Sequence, residues 1–295
     1  MNAPTSPRQG GVVAARIREP GGFLERSTTR AGLVVRRDLL ERPRNGDAVL
    51  ARRLAREIRS RQRADGSWDG TVYDTAWALW ELEDLRAPHD AAVERGIAWL
   101  LRRQGTEGAY RPEFFGSGPR RARDQVAIFS GDRLSSSNLL VGESCLAARS
   151  LLRLRRGRRE ATRMVRALAD LMRQEQHVRT MYPGRHVHGY CCGRCTSGAL
   201  EAFSQSPLHR DRSAVGALRW METMQRGDGT WQRFPFYFAL DVLSRYDQAI
   251  AARQFENALP AIRCRRNEDG SWGAAHRPEQ TLIVSRALFA HGLEE

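Results

Sequence analysis

The stretch Gln62-Arg-Ala-Asp-Gly-Ser-Trp68 occurs again as Gln225-Arg-Gly-Asp-Gly-Thr-Trp231 and as Arg266-Asn-Glu-Asp-Gly-Ser-Trp272. A degenerate copy, Gln104-Gly-Thr-Glu-Gly-Ala-Tyr110, keeps the spacing and replaces tryptophan by tyrosine. Neighbouring copies are separated by 42 residues from Trp68 to Tyr110 and by 41 residues from Trp231 to Trp272. This interval is the length of a repeat that consists of one helical hairpin.

Each copy follows an amphipathic helix and precedes a more apolar one. In residues 47–62, Val49, Leu50, Leu54 and Ile58 fall on one helical face, and Asp47 is available as the N-cap. The Asp-Gly pair between the helices is typical of a tight turn, because glycine accepts a positive φ and aspartate bonds to nearby backbone. The apolar helices read DTAWALWELEDL, SSNLLVGESCLAARSLLRL, CTSGALEAFSQS, FYFALDVLSRY and QTLIVSRALFAHGL.

About five such hairpins predict an all-α protein, an α/α toroid whose apolar helices line the inside of a barrel. An open superhelical stack of hairpins has the same periodicity, so the pattern alone leaves both arrangements open. Residues 1–44 carry Pro, Gly and Arg without clear periodicity and are predicted to form a basic N-terminal tail or arm. The toroid domain is therefore expected over residues 45–295.

The chain carries a formal net charge of +14, and all 48 of its basic residues are arginine. The absence of lysine excludes Schiff-base chemistry and the lysine-dependent phosphate sites of P-loop enzymes and kinases. The charge indicates either a solvated surface or an anionic partner such as a diphosphate or an acidic lipid, and nucleic acid is the less favoured partner. No apolar run reaches the ~18 residues of a membrane span, and the N-terminus lacks a secretory signal, which predicts a cytoplasmic protein with an optional peripheral membrane contact.

The repeated motifs resemble the QW motifs of the terpenoid cyclase and prenyltransferase superfamily, which includes squalene–hopene cyclases and the β subunits of protein prenyltransferases. The resemblance covers about residues 46–295 and implies the α/α-toroid fold. In the resembling families the glutamine and tryptophan tie helix ends together. The resemblance therefore implies a structural role for Gln62, Trp68, Gln225, Trp231 and Trp272.

The segment Thr71-Val-Tyr73-Asp74-Thr-Ala76 is similar to the Asp-x-Asp-Asp-Thr-Ala stretch of class II terpene cyclases, and also to its degenerate form in the γ domains of plant diterpene cyclases. Thr71 and Tyr73 replace two of the three aspartates, so the resemblance implies Asp74 as the remaining catalytic acid. Protonating an alkene requires an unusually strong acid that burial and its neighbours keep protonated. The alternative is that Asp74 only caps the helix that follows.

Thiols and imidazoles are concentrated in His186-Val-His188-Gly-Tyr-Cys191-Cys192-Gly-Arg-Cys195. Cys192-x-x-Cys195 has the spacing of a chelating pair, and four such soft ligands complete a tetrahedral zinc site. We predict zinc bound by Cys191, Cys192, Cys195 and His188. A redox-active thiol pair and unligated cysteines packed at a helix start remain the alternatives.

Gly193-Arg194-Cys195 resembles the Gly-Arg-x-Asn-Lys stretch with which prenyltransferase β subunits hold an isoprenoid diphosphate, which implies Arg194 as an anion contact. The aromatic residues Tyr73, Trp77, Phe236 and Tyr237 could present ring faces to the barrel axis. Such faces stabilise carbocations or bind an apolar chain, and core packing is the simpler interpretation.

Two functions are consistent with these features. The first is an enzyme of isoprenoid metabolism, similar to terpene cyclases and prenyltransferases, whose barrel binds an isoprenoid or another apolar small molecule. The second is a non-catalytic toroid with a structural metal that binds a lipid or a protein. The altered aspartate motif favours the second, and the Cys/His cluster and aromatic inner helices favour the first.

Overall fold

The computed structural model describes residues 21–105, 126–134, 136–173 and 192–293. Their architecture is all-α, and one two-residue antiparallel ladder pairs β1 (Val126–Ala127) with β2 (Arg133–Leu134). The helices are α1 (Gly21–Arg26), α2 (Arg30–Val34, continued by a π-helical turn, Val35–Leu39), α3 (Asp47–Ser60), α4 (Val72–Asp84), α5 (Ala91–Arg103), α6 (Ser136–Arg153), α7 (Arg158–Arg173), α8 (Gly193–Ser204), α9 (Arg212–Thr223), α10 (Phe236–Leu243), α11 (Ala249–Cys264) and α12 (Arg277–Ala290).

Six inner helices form a closed ring. Along the chain α4 packs on α6, α6 on α8, α8 on α10 and α10 on α12, and α12 then contacts α2, which contacts α4. The amphipathic helices α3, α5, α7, α9 and α11 pack around the outside of this ring. The expected α/α toroid is thereby confirmed, and the open stack is excluded because its two ends would not meet.

The turn of each motif brings the chain close to the next outer helix. Gly66 has a φ of +95° and Gly229 a φ of +82°, values that favour glycine. A Cβ at Gly66 would lie 2.8 Å from the Arg95 carbonyl oxygen, and one at Gly229 would lie 2.3 Å from the Asn257 carbonyl oxygen. Glycine is therefore required here both for its conformation and for its lack of a side chain.

The glutamine and tryptophan of each motif connect helix ends. Gln62 Nε2 donates to the Ala92 carbonyl at 2.8 Å, and Trp68 Nε1 donates to the Ile58 carbonyl at 2.7 Å. One motif thus joins the end of α3 to the start of α5. Gln225 likewise donates to the Gln254 carbonyl, and Trp231 donates to the Gln254 side chain on the following outer helix. The third motif has Arg266 in place of glutamine and keeps the tryptophan bond, from Trp272 to the Ile262 carbonyl.

The described part of the predicted tail or arm, residues 21–44, begins with short helices that complete the ring. Leu24, Val34 and Val35 are buried together with Leu282 of α12. Arg36 is also buried and donates to the Leu24 carbonyl and to carbonyl groups of the α1–α2 connection, so this segment packs tightly against the toroid. Helices of five or six residues are too short to produce a visible hydrophobic period, which explains why the sequence pattern did not predict them.

Within the described ranges, no helix combines the length and the apolar character needed to cross a bilayer.

Candidate functional site

A small cavity lies inside the ring, between the inner helices α4, α6, α8 and α10 and the β1–β2 hairpin. Its volume is about 20 Å³, which is room for roughly one water molecule. Aromatic, thiol, amide and charged side chains converge on it. The lining residues are Tyr73, Ile128, Phe129, Asn138, Gly142, Cys145, Leu146, Arg194, Gly198, Glu201 and Phe238.

One wall of the cavity is aromatic. Phe129, in the turn of the β1–β2 hairpin, stacks on Trp77 with ring centroids 5.4 Å apart and meets Phe238 edge-to-face at 5.5 Å. Tyr73 is buried beside them, and burial raises the pKa of its hydroxyl. The Tyr73 hydroxyl therefore stays protonated at physiological pH.

The hairpin that carries Phe129 is attached to the far side of the ring. Gln280 Nε2 of α12 donates to the Ser130 carbonyl at 2.8 Å, and Ile128 N donates to the Asp132 carbonyl at 2.8 Å. Gly131 has a φ of +84°, which closes the tight turn. These bonds hold the Phe129 ring between α4 and α10.

A buried group of charged side chains, Arg149, Glu201, Asp241 and Arg245, borders the cavity and is called here the acid cluster. Arg149 Nη1 donates to Glu201 Oε2 at 2.6 Å, and Arg149 Nη2 lies 3.7 Å from Asp241 Oδ2. Arg245 donates to both oxygens of Asp241 at 2.8 and 2.9 Å. Glu201 and Asp241 are 3% and 1% exposed, so bulk water does not screen the cluster.

The surroundings shift the pKa values of the two carboxyl groups of the acid cluster in opposite directions. Burial raises the pKa of Glu201 well above its usual range, and although Arg149 opposes this, the adjacent Asp241 charge adds to it. Burial acts in the same direction on Asp241, but Arg245, a hydrogen bond from Glu201 and Arg149 together hold the pKa of Asp241 far below its usual range. Of the two carboxyl groups, Glu201 is therefore the one that takes up a proton first as pH falls.

A second buried charge centre lies at Asp84, at the end of α4. Its carboxylate accepts hydrogen bonds from Arg30 and, at 2.5 Å, from Arg153, and Arg286 lies 3.5 Å away. Burial alone would raise the pKa of Asp84, but these guanidinium groups hold it well below its usual range. This centre thus links α2, α4, α6 and α12.

Trp80 contacts arginines of both charge centres. The Arg149 guanidinium lies 3.7 Å from the centroid of the Trp80 ring, and the Arg153 guanidinium lies 4.0 Å from it. Cation–π attraction of this kind reaches about 2 kcal/mol where the groups are desolvated. Trp80 therefore fixes the arginines that hold the carboxylates of both centres.

Asp74 does not line the cavity. It lies in the first turn of α4, where its backbone N–H donates to the Thr71 hydroxyl at 3.0 Å and its Oδ2 accepts from that hydroxyl at 2.5 Å. The N-cap of α4 is Thr71, so the expectation that Asp74 itself caps the helix is corrected. Threonine takes this position because its extended backbone lets the hydroxyl reach the third residue.

Of the predicted binding residues, Tyr73 and Arg194 lie on the cavity, and Arg194 is exposed at its edge. Trp77 contributes to the aromatic wall through Phe129. Phe236 and Tyr237 are not among the lining residues. Phe236 instead contacts Trp231, and its ring lies 4.4 Å from the Arg265 guanidinium, whereas Phe238, two residues further along α10, lines the cavity.

The predicted metal ligands are only partly within the described residues. Cys192 is the N-cap of α8 and accepts from Cys195 N at 3.3 Å. Asn138 Nδ2 donates to both sulfurs, at 3.2 Å to Cys192 and 3.5 Å to Cys195. Cys191 and His188 lie outside the described residues, and no group of three metal-binding side chains occurs within the described ones. The zinc site stays a prediction.

No protein-family model matches the chain, and no curated protein matches it in sequence. Among solved structures, a variant of the type II terpene cyclase MstE from Scytonema, in complex with geranylgeranyl dihydroxybenzoate as substrate, is 13% identical with a TM-score of 0.57, covering 90% of this chain and 87% of that one. MstE without ligand gives a TM-score of 0.57 at 13% identity over 90% and 88% of the two chains. A protein from Actinoplanes is 16% identical with a TM-score of 0.56 over 90% and 89%. At these identities the similarity shows the fold, which is that of type II terpene cyclases.

Proposed function

We propose that this protein is an enzyme of isoprenoid metabolism that binds an isoprenoid or a similar apolar molecule inside its helical ring. The single observation that carries the proposal is the juxtaposition, in one cavity, of an aromatic wall and the buried carboxyl group of Glu201, whose pKa burial raises. Aromatic faces stabilise carbocations, and a buried acid is able to generate one. The fold shared with terpene cyclases and the QW-like motifs support the same assignment.

Substrate binding requires more space than the cavity of about 20 Å³ offers. Phe129 lies between Trp77 and Phe238, where an apolar chain would contact the same two rings. We therefore propose that the substrate displaces the Phe129 ring on entry. Arg194, at the exposed edge, would then contact an anionic end of the substrate, such as a diphosphate.

The cysteines at the start of α8 are proposed to bind zinc together with Cys191 and His188. Convergence of the Cys192 and Cys195 sulfurs on one amide, that of Asn138, supports a chelating geometry. Thiolates and a neutral imidazole are the ligands that zinc prefers. Such a site would keep Arg194, which lies between the two cysteines in the sequence, at the cavity edge.

Elemental analysis of freshly purified, reduced protein tests the zinc proposal. We expect about one zinc per chain, lost on substitution of Cys192 or Cys195 by serine, since chelation requires both thiolates. Cys264, which is exposed on α11, provides the matched serine substitution and should leave the zinc content unchanged. Protein that contains no transition metal would refute the site.

The isoprenoid proposal is tested by native mass spectrometry and lipid extraction of the purified protein. We expect a co-purified isoprenoid, or saturable binding of added geranylgeraniol or geranylgeranyl diphosphate. A chain that binds these compounds but never converts them would be a lipid-binding toroid, the alternative that the altered aspartate motif favours. A chain that binds none of them would contradict the proposal.

A further inference from the structure

We propose that Glu201, held between Arg149 and Asp241, is the group that donates the proton to an alkene bound in the ring cavity. This inference rests on the proposed function and deepens it by assigning the acid. It differs from the assignment of Asp74, which the sequence motif implies.

The position of Glu201 meets the first requirement of a proton donor. It lies on the inner helix α8, its side chain is 4% exposed, and it lines the cavity beside Tyr73 and Phe238. Its Oε2 is fixed by Arg149 at 2.6 Å, whereas its Oε1 accepts no hydrogen bond from any described donor. A carboxyl oxygen that accepts no hydrogen bond can carry the proton without breaking one.

The charged groups around Glu201 lie on three helices, with one of them just after a helix end. Helix α6 contributes Arg149, α10 contributes Asp241 followed by Arg245, and Arg286 of α12 lies near Asp241. Asp241 stays ionised because Arg245 donates to both its oxygens, and the Asp241 charge raises the pKa of the neighbouring Glu201. Two carboxyl groups whose pKa values are shifted in opposite directions give an acid and its supporting base.

The same surroundings make Glu201 a usable acid when a substrate is present. The alkene π electrons form the new C–H bond with the Glu201 proton, and the O–H electron pair remains on Glu201 as a carboxylate. Arg149 is already bonded to this carboxylate, so the charge that develops is stabilised without rearrangement. The positive charge on the adjacent carbon faces Phe129 or the rings that replace it, and loss of a proton from the final cation to Glu201 restores the acid.

Asp74 meets these requirements less well. Its oxygen accepts the Thr71 hydroxyl at the first turn of α4, and the residue is absent from the cavity lining. The Asp74 carboxyl group is therefore engaged in the first turn of α4, away from the cavity in which an alkene would bind.

The test compares Glu201→Gln with wild type, with Asp74→Asn and with Glu222→Gln, a control on the outer helix α9 whose carboxylate pairs with Arg253. Turnover of geranylgeraniol and geranylgeranyl diphosphate is measured in H₂O and in D₂O, together with binding of the same compounds. Circular dichroism verifies folding, since glutamine can still accept the Arg149 bond. Infrared spectra at pH 7 record the C=O stretching band of protonated carboxyl groups.

We expect Glu201→Gln to bind the isoprenoid, to lose the Glu201 carboxyl band and to lose turnover by at least about 100-fold. Asp74→Asn and the control should stay within a few-fold of wild type, with one deuteron incorporated per product in D₂O. An active Glu201→Gln variant, or an unchanged infrared band, overturns this proposal alone. Wild-type protein that neither binds nor converts isoprenoids overturns the proposed function and, with it, the assignment of the acid.

Should Glu201→Gln fail to fold, Asp241→Asn gives the second variant. Removing the Asp241 charge lowers the cost of ionising Glu201, so the infrared band of the protonated acid should weaken at pH 7 and turnover should fall. An unaltered band in folded Asp241→Asn would contradict the coupling between the two carboxyl groups.

Discussion

At the scale of single residues, buried arginines and carboxylates determine what the ring interior can do. The acid cluster and the Asp84 centre both lie beside Trp80, and each pairs guanidinium groups with carboxylates inside the helical core. Charges in such a position are stable only while each keeps its partners. Substitutions in these two charge centres therefore show which residues stabilise the fold and which take part in the chemistry.

Asp84→Asn is expected to destabilise the protein by about 3–5 kcal/mol, because it removes the buried carboxylate that Arg30 and the partly buried Arg153 and Arg286 share. The free energy of unfolding in urea measures this. Asp170→Asn removes a carboxylate that is more than half exposed and pairs with Arg173, so it should change stability by less than about 0.5 kcal/mol. Similar effects of the two substitutions would contradict the burial of the Asp84 centre.

The pH dependence of the protein's stability follows from the lowered pKa of Asp84. The pKa of Asp84 is lower in the folded protein than in the unfolded chain, so its ionised form stabilises the fold above the unfolded value of about 4. This contribution is lost as pH falls below that value. Wild type should therefore lose stability steeply with acid, and Asp84→Asn should lose less over the same range.

Asp74→Asn is expected to leave both stability and turnover nearly unchanged. Asparagine keeps an oxygen for the Thr71 hydroxyl, and Thr71 remains the N-cap. Thermal unfolding and the turnover of linear isoprenoids by the variant measure these effects. Complete loss of turnover in a folded variant would instead support Asp74 as the acid.

At the scale of elements, the β1–β2 hairpin controls the space inside the ring. Phe129 fills the position between α4 and α10, and the Gln280 bond to Ser130 holds the hairpin in place. A two-residue ladder gives little independent stability, so the hairpin depends on these contacts. It is the element whose displacement would open the site.

Phe129→Ala is expected to enlarge the cavity and to strengthen binding of geranylgeraniol several-fold, because the substrate no longer has to displace the ring. Fluorescence titration or calorimetry of wild type and variant measures the change. Phe289→Ala, at an exposed aromatic on α12, is the matched control and should bind like wild type. Weaker binding by Phe129→Ala would mean that the ring contacts the ligand instead of occupying its place.

The helices were predictable from sequence and the site only in part. Motif spacing and the apolar helices predicted the hairpins and the toroid, since both follow from local periodicity. Tyr73, Trp77 and Arg194 were also identified. Phe129 was not predicted, because each strand of its hairpin is only two residues long and the hairpin lies outside the helical pattern.

The acid cluster was missed for a different reason. Arg149, Glu201 and Asp241 each stand within an apolar inner helix, and such isolated charges are a sequence signal of a buried pair. Their partners, however, lie on other helices, with Arg149 and Glu201 52 residues apart in the sequence, so only the closed ring reveals which charges meet. Local patterns cannot specify that pairing.

At the scale of the whole molecule, closure of the ring encloses a cavity between the helical repeats. Helices α2 and α12 complete the ring, and Glu201 of the acid cluster and the aromatic wall both line this cavity. The central claim is that this interior converts isoprenoids through protonation.

Incubation of the wild-type protein with linear isoprenoid alcohols and diphosphates in D₂O, followed by mass spectrometry of the products, tests that claim most directly. The account predicts a cyclised or isomerised product that carries one deuterium per protonation step and is missing when Glu201→Gln replaces wild type. Folded wild-type protein that leaves every linear isoprenoid unchanged, with no deuterium incorporated, would contradict it.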